Sequence, residues 1–215
     1  MRADAATQLL VIRHGQTDWN AQARIQGHTD IPLNAEGRAQ ALRLAQALRG
    51  QVLAAVYSSD LRRASETAQA VAGATGAALS AHPGLRERAL GRFEGLAFDE
   101  IEQRWPDDAA RWRRRDPGFA PDGGETLLDF HTRCVATTLR LAANHPGQAI
   151  ALVAHGGVLD CLYRAAVPVP LEAPRTWVLG NATINRLLCR RGSLALVGWD
   201  DDAHLRATDA PGGAR

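Results

Sequence analysis

A chain of 215 residues, 46% hydrophobic and 22% charged, has the length and composition of one globular domain with a substantial core, and its formal charge of +2 is too small to argue for nucleic acid. All 25 basic residues are arginine. The lack of lysine excludes a Schiff-base enzyme, a pyridoxal phosphate enzyme and a P-loop with its usual lysine, and it leaves arginine, whose planar fork matches phosphate, as the permanent side-chain cation.

The first element is a short apolar run, Leu9-Leu10-Val11-Ile12, which predicts a buried strand over 9–13 that ends in Arg13-His14-Gly15. Asn34 is a helix N-cap candidate ahead of a helix over 35–49, with Ala41, Leu44, Ala45 and Leu48 on one face. A second strand over 54–57 leads through Ser58-Ser59 into a helix over 60–72, and 77–80 is a brief third strand. Residues 85–123 break the pattern and read as a cap over the site. Within it, Pro106 opens a helix, Asp107 and Asp108 suit its first turn, and Arg111 to Arg115 suit its last. Ile101, Trp105 and Trp112 are candidates for the cap's apolar underside. A long helix over 125–143 follows, then a strand from Ile150 to Ala154 that ends in His155-Gly156-Gly157, then a helix from Val158 to about 165. Residues 183–189 and 194–199 pattern as a hairpin, and 207–215 as a disordered tail. Alternating strands and helices predict a three-layer α/β/α sandwich, a doubly wound and mostly parallel sheet, as one domain over 1–206.

Cys134, Cys161 and Cys189 are widely spaced and odd in number, and the chain has no CxxC, HxH or HExxH. Each cysteine reads as a small buried hydrophobe, and neither a metal nor a cofactor is expected. No apolar segment precedes Leu9 and no run of about 18 apolar residues occurs. A signal peptide and a membrane span are therefore not expected, and a cytoplasmic protein is.

Ligands of open α/β sheets bind beyond the carboxyl ends of the strands. Two histidines delivered there, one beside an arginine, suit an anion. Phosphoryl transfer from a monoester needs an attacking group, cations on the equatorial oxygens and a proton for the leaving oxygen. A neutral imidazole can attack phosphorus, and arginines 62 and 63 lie in the first turn of the helix after the second strand. His155 adds a second imidazole, and Glu87 is an acid/base candidate.

The ordered motifs resemble the histidine phosphatase superfamily, in its phosphoglycerate mutase-like branch. They are Leu10-Val11-Ile12-Arg13-His14-Gly15-Gln16-Thr17-Asp18-Trp19-Asn20, Gln26-Gly27, Pro32-Leu33-Asn34-Ala35-Glu36-Gly37, and Ser59-x-Leu61-x-Arg63-Ala64-x-x-Thr67-Ala68. Leu85-x-Glu87-x-x-x-Gly91-x-x-Glu94-Gly95, Gly123-Gly124-Glu125 and Val153-Ala154-His155-Gly156-Gly157 complete the set. The resemblance implies His14 as the phosphorylated nucleophile and Glu87 as the proton donor. It implies Arg13, Arg63, His155 and Asn20 around the phosphate, with Gly156 beside them and Gln26 and Gly27 on a substrate-side loop. Arg62 falls off the motif and should point away.

Histidines 28, 82, 131, 145 and 204 read as surface residues, and Glu125 as a carboxylate favouring a helix N-terminus. The run Arg111-Trp112-Arg113-Arg114-Arg115 reads either as a solvated cap face or as a reach toward an anionic substrate tail; it is too short for a nucleic-acid site. The expected activity is metal-independent hydrolysis of a small phosphorylated metabolite through phosphohistidine, with homo-oligomerisation open. The alternatives are a phosphoglycerate mutase and a silent phospho-ligand binding module. The cofactor-dependent mutases of the branch carry a longer insertion with a Tyr-Gly stretch and a lysine, which residues 96–122 cannot match.

Overall fold

The computed structural model describes residues 5–206, so the tail expected over 207–215 lies outside the described residues. In chain order the elements are β1 (Thr7–Arg13), α1 (Asp18–Ala21), α2 (Ala35–Ala47), β2 (Ala55–Ser58), α3 (Arg62–Thr75), β3 (Leu79–Ala81), α4 (Phe98–Arg104) and α5 (Pro106–Arg113). They continue with α6 (Leu127–Ala143), β4 (Ala149–Ala154), α7 (Gly156–Ala166), β5 (Ile184–Arg190), β6 (Ser193–Asp201) and α8 (Ala203–Arg206). The sheet order is β3-β2-β4-β1-β5-β6. The first four strands in that order run parallel, and β5 and β6 close one side as an antiparallel hairpin.

The central strands are buried on both faces, so their side chains feed two cores in alternation. Leu9 and Val11 of β1, with Ile150 and Leu152 of β4, pack with α6 and α7 residues such as Phe130 and Leu159. Leu10 and Ile12, with Ala151 and Val153, pack against Leu44 of α2 and Ala64, Ala68 and Val71 of α3. These two apolar layers make the expected α/β/α sandwich. Each fully buried Leu or Ile among them contributes about 1.5–3 kcal/mol.

The cap has its own small core, Phe93, Ile101, Ala109 and Phe119, with Trp105 and Trp112 packed against it. Trp105 lies between α4 and α5 with φ −142° and ψ 70° because the following Pro106 disfavours an α conformation there. Asp107 and Asp108 lie in the first turn of α5, and Arg111 and Arg113 in its last.

Three helix starts differ from the sequence reading. Helix α3 starts at Arg62 because Ser59 and Asp60 remain a loop after β2. Thr126 caps α6 by accepting from the Asp129 N–H, which leaves Glu125 outside the helix, paired with Arg133. Helix α7 starts two residues early, at Gly156, with His155 as its N-cap residue.

Asn34 caps α2 as expected, accepting from the Gly37 N–H at 2.8 Å. That cap also docks the helix on the loop after β1, since the Asn34 N–H donates to the Gln16 carbonyl. A Cβ on Gly37 would stand 2.0 Å from the Gln16 carbonyl oxygen. Gly37→Ala should therefore cost about 2 kcal/mol, or roughly 6 °C in melting temperature for a chain of this size. Gly73 is exposed within α3 and a Cβ there would meet open space. Gly73→Ala should stabilise by about 0.5–1 kcal/mol. Thermal denaturation of the two variants checks both signs.

Candidate functional site

Strands β1 and β4 pair in parallel with Ile12 opposite Val153 and Arg13 opposite Ala154. The next residue of each is a histidine, so the register at the strand ends brings His14 and His155 side by side. Their rings lie 5.2 Å apart, centroid to centroid. The His14 N–H donates to the Ala154 carbonyl, so the β1–β4 pairing continues into the site. Strand β2 ends one register step earlier, and the following loop delivers the first turn of α3 with Arg63.

Both histidines are buried. His14 Nδ1 lies 2.7 Å from the Gly15 carbonyl oxygen, which can only accept. In the neutral ring Nδ1 therefore carries the proton, and Nε2 keeps its lone pair. Burial, and then the positive charges of Arg63 and Arg13, hold the His14 pKa well below the usual histidine range. Burial, Arg63 and the other groups around His155 do the same to that ring.

Arg63 is buried, not a surface partner of Asp60 or Glu66. Its Nη1 and Nη2 donate to the carbonyls of Thr29 and Gly27 at 3.0 and 2.8 Å. Burial lowers its pKa to about 10, which still leaves it charged at neutral pH. Arg62, one residue earlier, is exposed and 3.9 Å from Glu66, so it points away as expected. Arg13 donates Nη1 to the Leu179 carbonyl, and a Cβ on Gly156 would lie 3.5 Å from its Nε. The Nε of Arg13, the Nε of Arg63 and both ring nitrogens of His155 are buried without a hydrogen-bond partner. Such unpaired polar groups are uncommon in folded proteins; here the arginine Nε–H groups and one N–H of the neutral His155 ring are donors that lie close to the His14 ring.

Glu87 reaches the same edge from the loop before the cap. Its Oε2 accepts from the Gly157 N–H at 2.9 Å and its Oε1 from the Arg88 N–H at 2.9 Å. A Cβ at position 157 would stand 2.1 Å from Glu87 Oε1, so any side chain there would displace the Glu87 carboxylate. Arg133 holds this loop from α6, donating to the carbonyls of Gly84, Arg86 and Glu87 while both oxygens of Glu125 receive its other N–H groups. Glu125 is thus the anchor for Arg133 and not a helix N-terminal charge.

Asn20 and Gln26 are less free than the motifs imply. The Asn20 carboxamide oxygen accepts from the Thr17 N–H and hydroxyl as half of a capping box. Only its NH2 end is left to donate. Gln26 is buried with its carboxamide oxygen unpaired. The Gly27 carbonyl faces Arg63.

Several supporting residues escaped the sequence reading. Glu94 ties down the loop after Gly27, with Oε1 accepting from the His28 N–H and Oε2 from the Thr29 N–H and hydroxyl. Burial pushes the Glu94 carboxyl up, but these bonds outweigh it and hold it below the usual value. His28 is not a surface residue: its Nε2 lies 2.8 Å from the Glu87 carbonyl oxygen. The other four expected surface histidines are also half-buried, such as His145 against the Tyr57 hydroxyl at 2.8 Å. Asn181 donates to the His14 carbonyl at 2.9 Å from the loop before β5, a stretch with no periodicity to mark it. Glu94 was visible as a motif position, but its task was not.

Beside Glu87 opens a pocket of about 200 Å³, walled by Leu90, Trp112, Leu127, Phe130, Arg115 and Arg175 among others. A larger cavity of about 510 Å³ lies elsewhere, along Leu10, Leu48 and Ile184. Its one arginine, Arg186, is paired with Asp201 and its one histidine, His204, has Nε2 2.9 Å from the Ala182 carbonyl oxygen, so it does not repeat the grouping of arginines and imidazoles at the strand ends. Of the cap arginines, Arg111 pairs with Asp116 and Arg113 with Glu102, as a solvated face would. Arg115 instead turns inward to Asp160 at 2.6 Å. Among the described residues no helix is long and apolar enough to cross a membrane, and no cluster of three or more His, Cys, Asp or Glu is placed to hold a metal.

The chain is 38% identical over 206 residues to phosphoglycerate mutase-like protein 4 of Arabidopsis thaliana, covering 94% of this chain and 88% of the relative. It is 35% identical over 191 residues to glucosyl-3-phosphoglycerate phosphatase of Mycobacterium tuberculosis, covering 85% of each. A crystal structure of a phosphoserine phosphatase mutant from Entamoeba histolytica, bound to phosphoserine, superposes with a TM-score of 0.83 at 28% identity, covering 93% of this chain and 99% of that one. The sequence profile of the histidine phosphatase superfamily (branch 1) matches residues 9–202, nearly the whole described fold, and the chain belongs to that superfamily.

Proposed function

We propose that this protein hydrolyses a small phosphomonoester through a phosphohistidine on His14. The observation that carries the reading is the ring of buried, unpaired donors on Arg13, Arg63 and His155 around a neutral imidazole whose Nδ1–H is already committed. A phosphoryl group supplies the acceptors those donors lack. Names of the relatives point the same way, toward phosphatases of phosphoserine and of glucosyl-3-phosphoglycerate.

In the first step the Nε2 lone pair of His14 attacks phosphorus in line. The P–O ester bond breaks as Glu87 delivers a proton to the departing oxygen. Arg13, Arg63 and an N–H of neutral His155 stabilise the equatorial oxygens, with the Asn20 NH2 beside them and Gln26, Gly27 and Gly156 shaping the surroundings. In the second step Glu87 takes a proton from water as its oxygen bonds to phosphorus. The P–N bond breaks, and Nε2 recovers its lone pair. Charge-assisted arginine contacts and fixed positioning carry the catalysis, with no metal required by any step.

A mutase must hold phosphohistidine away from water until a second substrate position accepts it. The cap between Glu94 and Asp122 is two short helices without tyrosine or lysine, which favours hydrolysis. Cytoplasmic residence fits three buried cysteines that are all free. The exposed edge strand β6 is open to self-association.

His14→Ala should reduce phosphate release to background, and acid-labile phosphoenzyme should no longer form with labelled para-nitrophenyl phosphate, while circular dichroism stays native-like. A primed 3-phosphoglycerate assay run alongside should give interconversion below the best hydrolysis rate; a faster mutase rate would reverse the assignment. Because the His14 pKa lies well below its usual value, the ring is neutral down through pH 6.5. The acid limb of kcat/KM due to its protonation should therefore appear only well below pH 6.5, and no His14 titration should limit the rate above it.

Arg63→Ala should lower kcat/KM by about 10²-fold or more, as loss of a buried charge-assisted phosphate contact implies. Arg62→Ala should change it by less than about threefold, the scale of an exposed ion pair. Steady-state assays of the two single variants would expose a register error if their severity were exchanged.

Glu87→Gln should slow phosphorylation by alkyl phosphates far more than by para-nitrophenyl phosphate, since a good leaving group needs little protonation. Pre-steady-state phosphorylation rates separate this from the dephosphorylation step. Equal slowing with both esters removes Glu87 from the acid role.

A further inference from the structure

The pocket beside Glu87, where the leaving group of the proposed reaction would sit, carries more positive charge than a neutral alcohol would use. Its charged lining is Arg88, Arg115, Arg175, Glu87 and Asp160, three guanidiniums against two carboxylates. Asp160 is already taken by Arg115 at 2.6 Å and by the buried Arg164 at 3.0 Å. Arg88 is committed to backbone carbonyls of Glu125 and Phe119. Arg175 differs from these neighbours: among the described residues its guanidinium has no hydrogen-bond or ion-pair partner. It is nevertheless close enough to Arg13 for the two positive charges to oppose one another.

The loop that carries Arg175 is held rigidly on both sides. Arg164, in α7, donates to the carbonyls of Pro170 and Ala173. Trp177 is gripped between that same guanidinium, 4.8 Å from its ring, and the stacked ring of Tyr163 at 4.0 Å. Arg115 fastens the cap to the loop by donating to the Leu171 carbonyl at 2.6 Å, and it does so from a left-handed backbone conformation with φ 56°. Non-glycine residues adopt that conformation at a cost. The fold thus anchors residues on either side of Arg175 and leaves its cation unpaired, beside Glu87 and a partly apolar wall of Trp112, Leu127 and Phe130.

We propose that Arg175 is the specificity-determining residue of the leaving-group pocket, and that it selects phosphate esters of short hydroxy acids by pairing with their carboxylate. The proposal rests on the phosphatase reading above. A single unpaired planar fork matches one carboxylate bidentately, whereas a second phosphate dianion calls for two cations. A pocket of about 200 Å³ suits a three- or four-carbon acid whose methylene groups meet the apolar wall. When Glu87 holds its proton for the leaving oxygen, the pocket lining gains one further unit of positive charge, and an anionic leaving group offsets it.

The test compares 3-phosphoglycerate with glycerol 3-phosphate, a pair that differs by a carboxylate against a hydroxymethyl group, with para-nitrophenyl phosphate as a third substrate. The native chain should favour 3-phosphoglycerate in kcat/KM by about tenfold or more, the scale of a hydrogen-bonded charge pair. Arg175→Ala should reduce that ratio about tenfold, chiefly through KM, and Arg175→Lys should recover part of it. Arg175→Glu should invert the preference. Arg114→Ala, which removes an exposed cap arginine of the same charge, should leave the ratio as it is. A native ratio near one, or an Arg175→Ala variant that keeps the native ratio, overturns the proposal. Para-nitrophenyl phosphate turnover separates the two levels: if it persists and needs His14, the phosphatase reading stands while the carboxylate assignment falls. If no monoester is hydrolysed, the underlying reading itself fails.

Discussion

The parallel pairing of β1 with β4 is the constraint on which the site depends. Because Arg13 lies opposite Ala154, the two strands end together and the next residue on each is a histidine. A shift of one residue would separate the rings and also turn Leu9, Val11, Ile150 and Leu152 to the other core. The burial that fixes the register therefore fixes the placement of the two histidines. Helix α3 is tied to the same frame, since Thr67 accepts from the Gly15 N–H at 3.0 Å and donates to the Arg63 carbonyl at 2.8 Å. One hydroxyl couples the position of the loop after His14 to that of the buried arginine.

That arrangement is electrostatically one-sided. Arg13 and Arg63 approach two imidazoles, and among the described residues no carboxylate is hydrogen-bonded to either guanidinium. Burial and mutual repulsion then favour neutral histidines, which is the state a nucleophile needs. The same charges that would bind a phosphoryl group thus keep His14 unprotonated before it arrives. Backbone carbonyls of Leu179, Gly27 and Thr29 hold the guanidiniums in place without neutralising them. Carbonyls orient a cation, whereas a carboxylate would compete with the phosphate for it.

What was legible in the sequence follows from this division. The two strand–histidine units were legible because a buried parallel strand writes a continuous apolar run, and glycine marks its end. Pro106 and the charges of α5 declared that helix through the dipole and the ring's fixed φ. Glu94, Arg133 and Asn181 were not legible as supports because each acts on backbone atoms remote in sequence: Glu94 on His28, Arg133 on Gly84 and Asn181 on His14. Backbone acceptors leave no mark in residue identity. Position 28 misled for the same reason, since its ring meets the Glu87 carbonyl and not a side chain that could be matched to it. The stretch 167–183 has neither helical nor strand periodicity, so the loop that carries Arg175 was silent.

The two halves of the site are built on different principles. The half around His14 uses strand ends and helix starts of the sandwich, where register and both cores allow little displacement. The half around Arg175 is assembled from the cap and the loop before β5, joined by the Arg115–Asp160–Arg164 network. That network spends two cations on one carboxylate and several carbonyls, so its task is to hold backbone in position. Removing Asp160 would leave the buried Arg164 and the half-buried Arg115 without their shared anion, and the cap and loop would lose their common anchor. Changes on the rim, by contrast, alter charge without disturbing that anchor. On the proposed reading, a fold of this kind keeps its phosphoryl chemistry fixed while the identity of one rim residue redirects which alcohol it releases, because the loop that carries Arg175 is fastened to the scaffold by residues other than Arg175 itself.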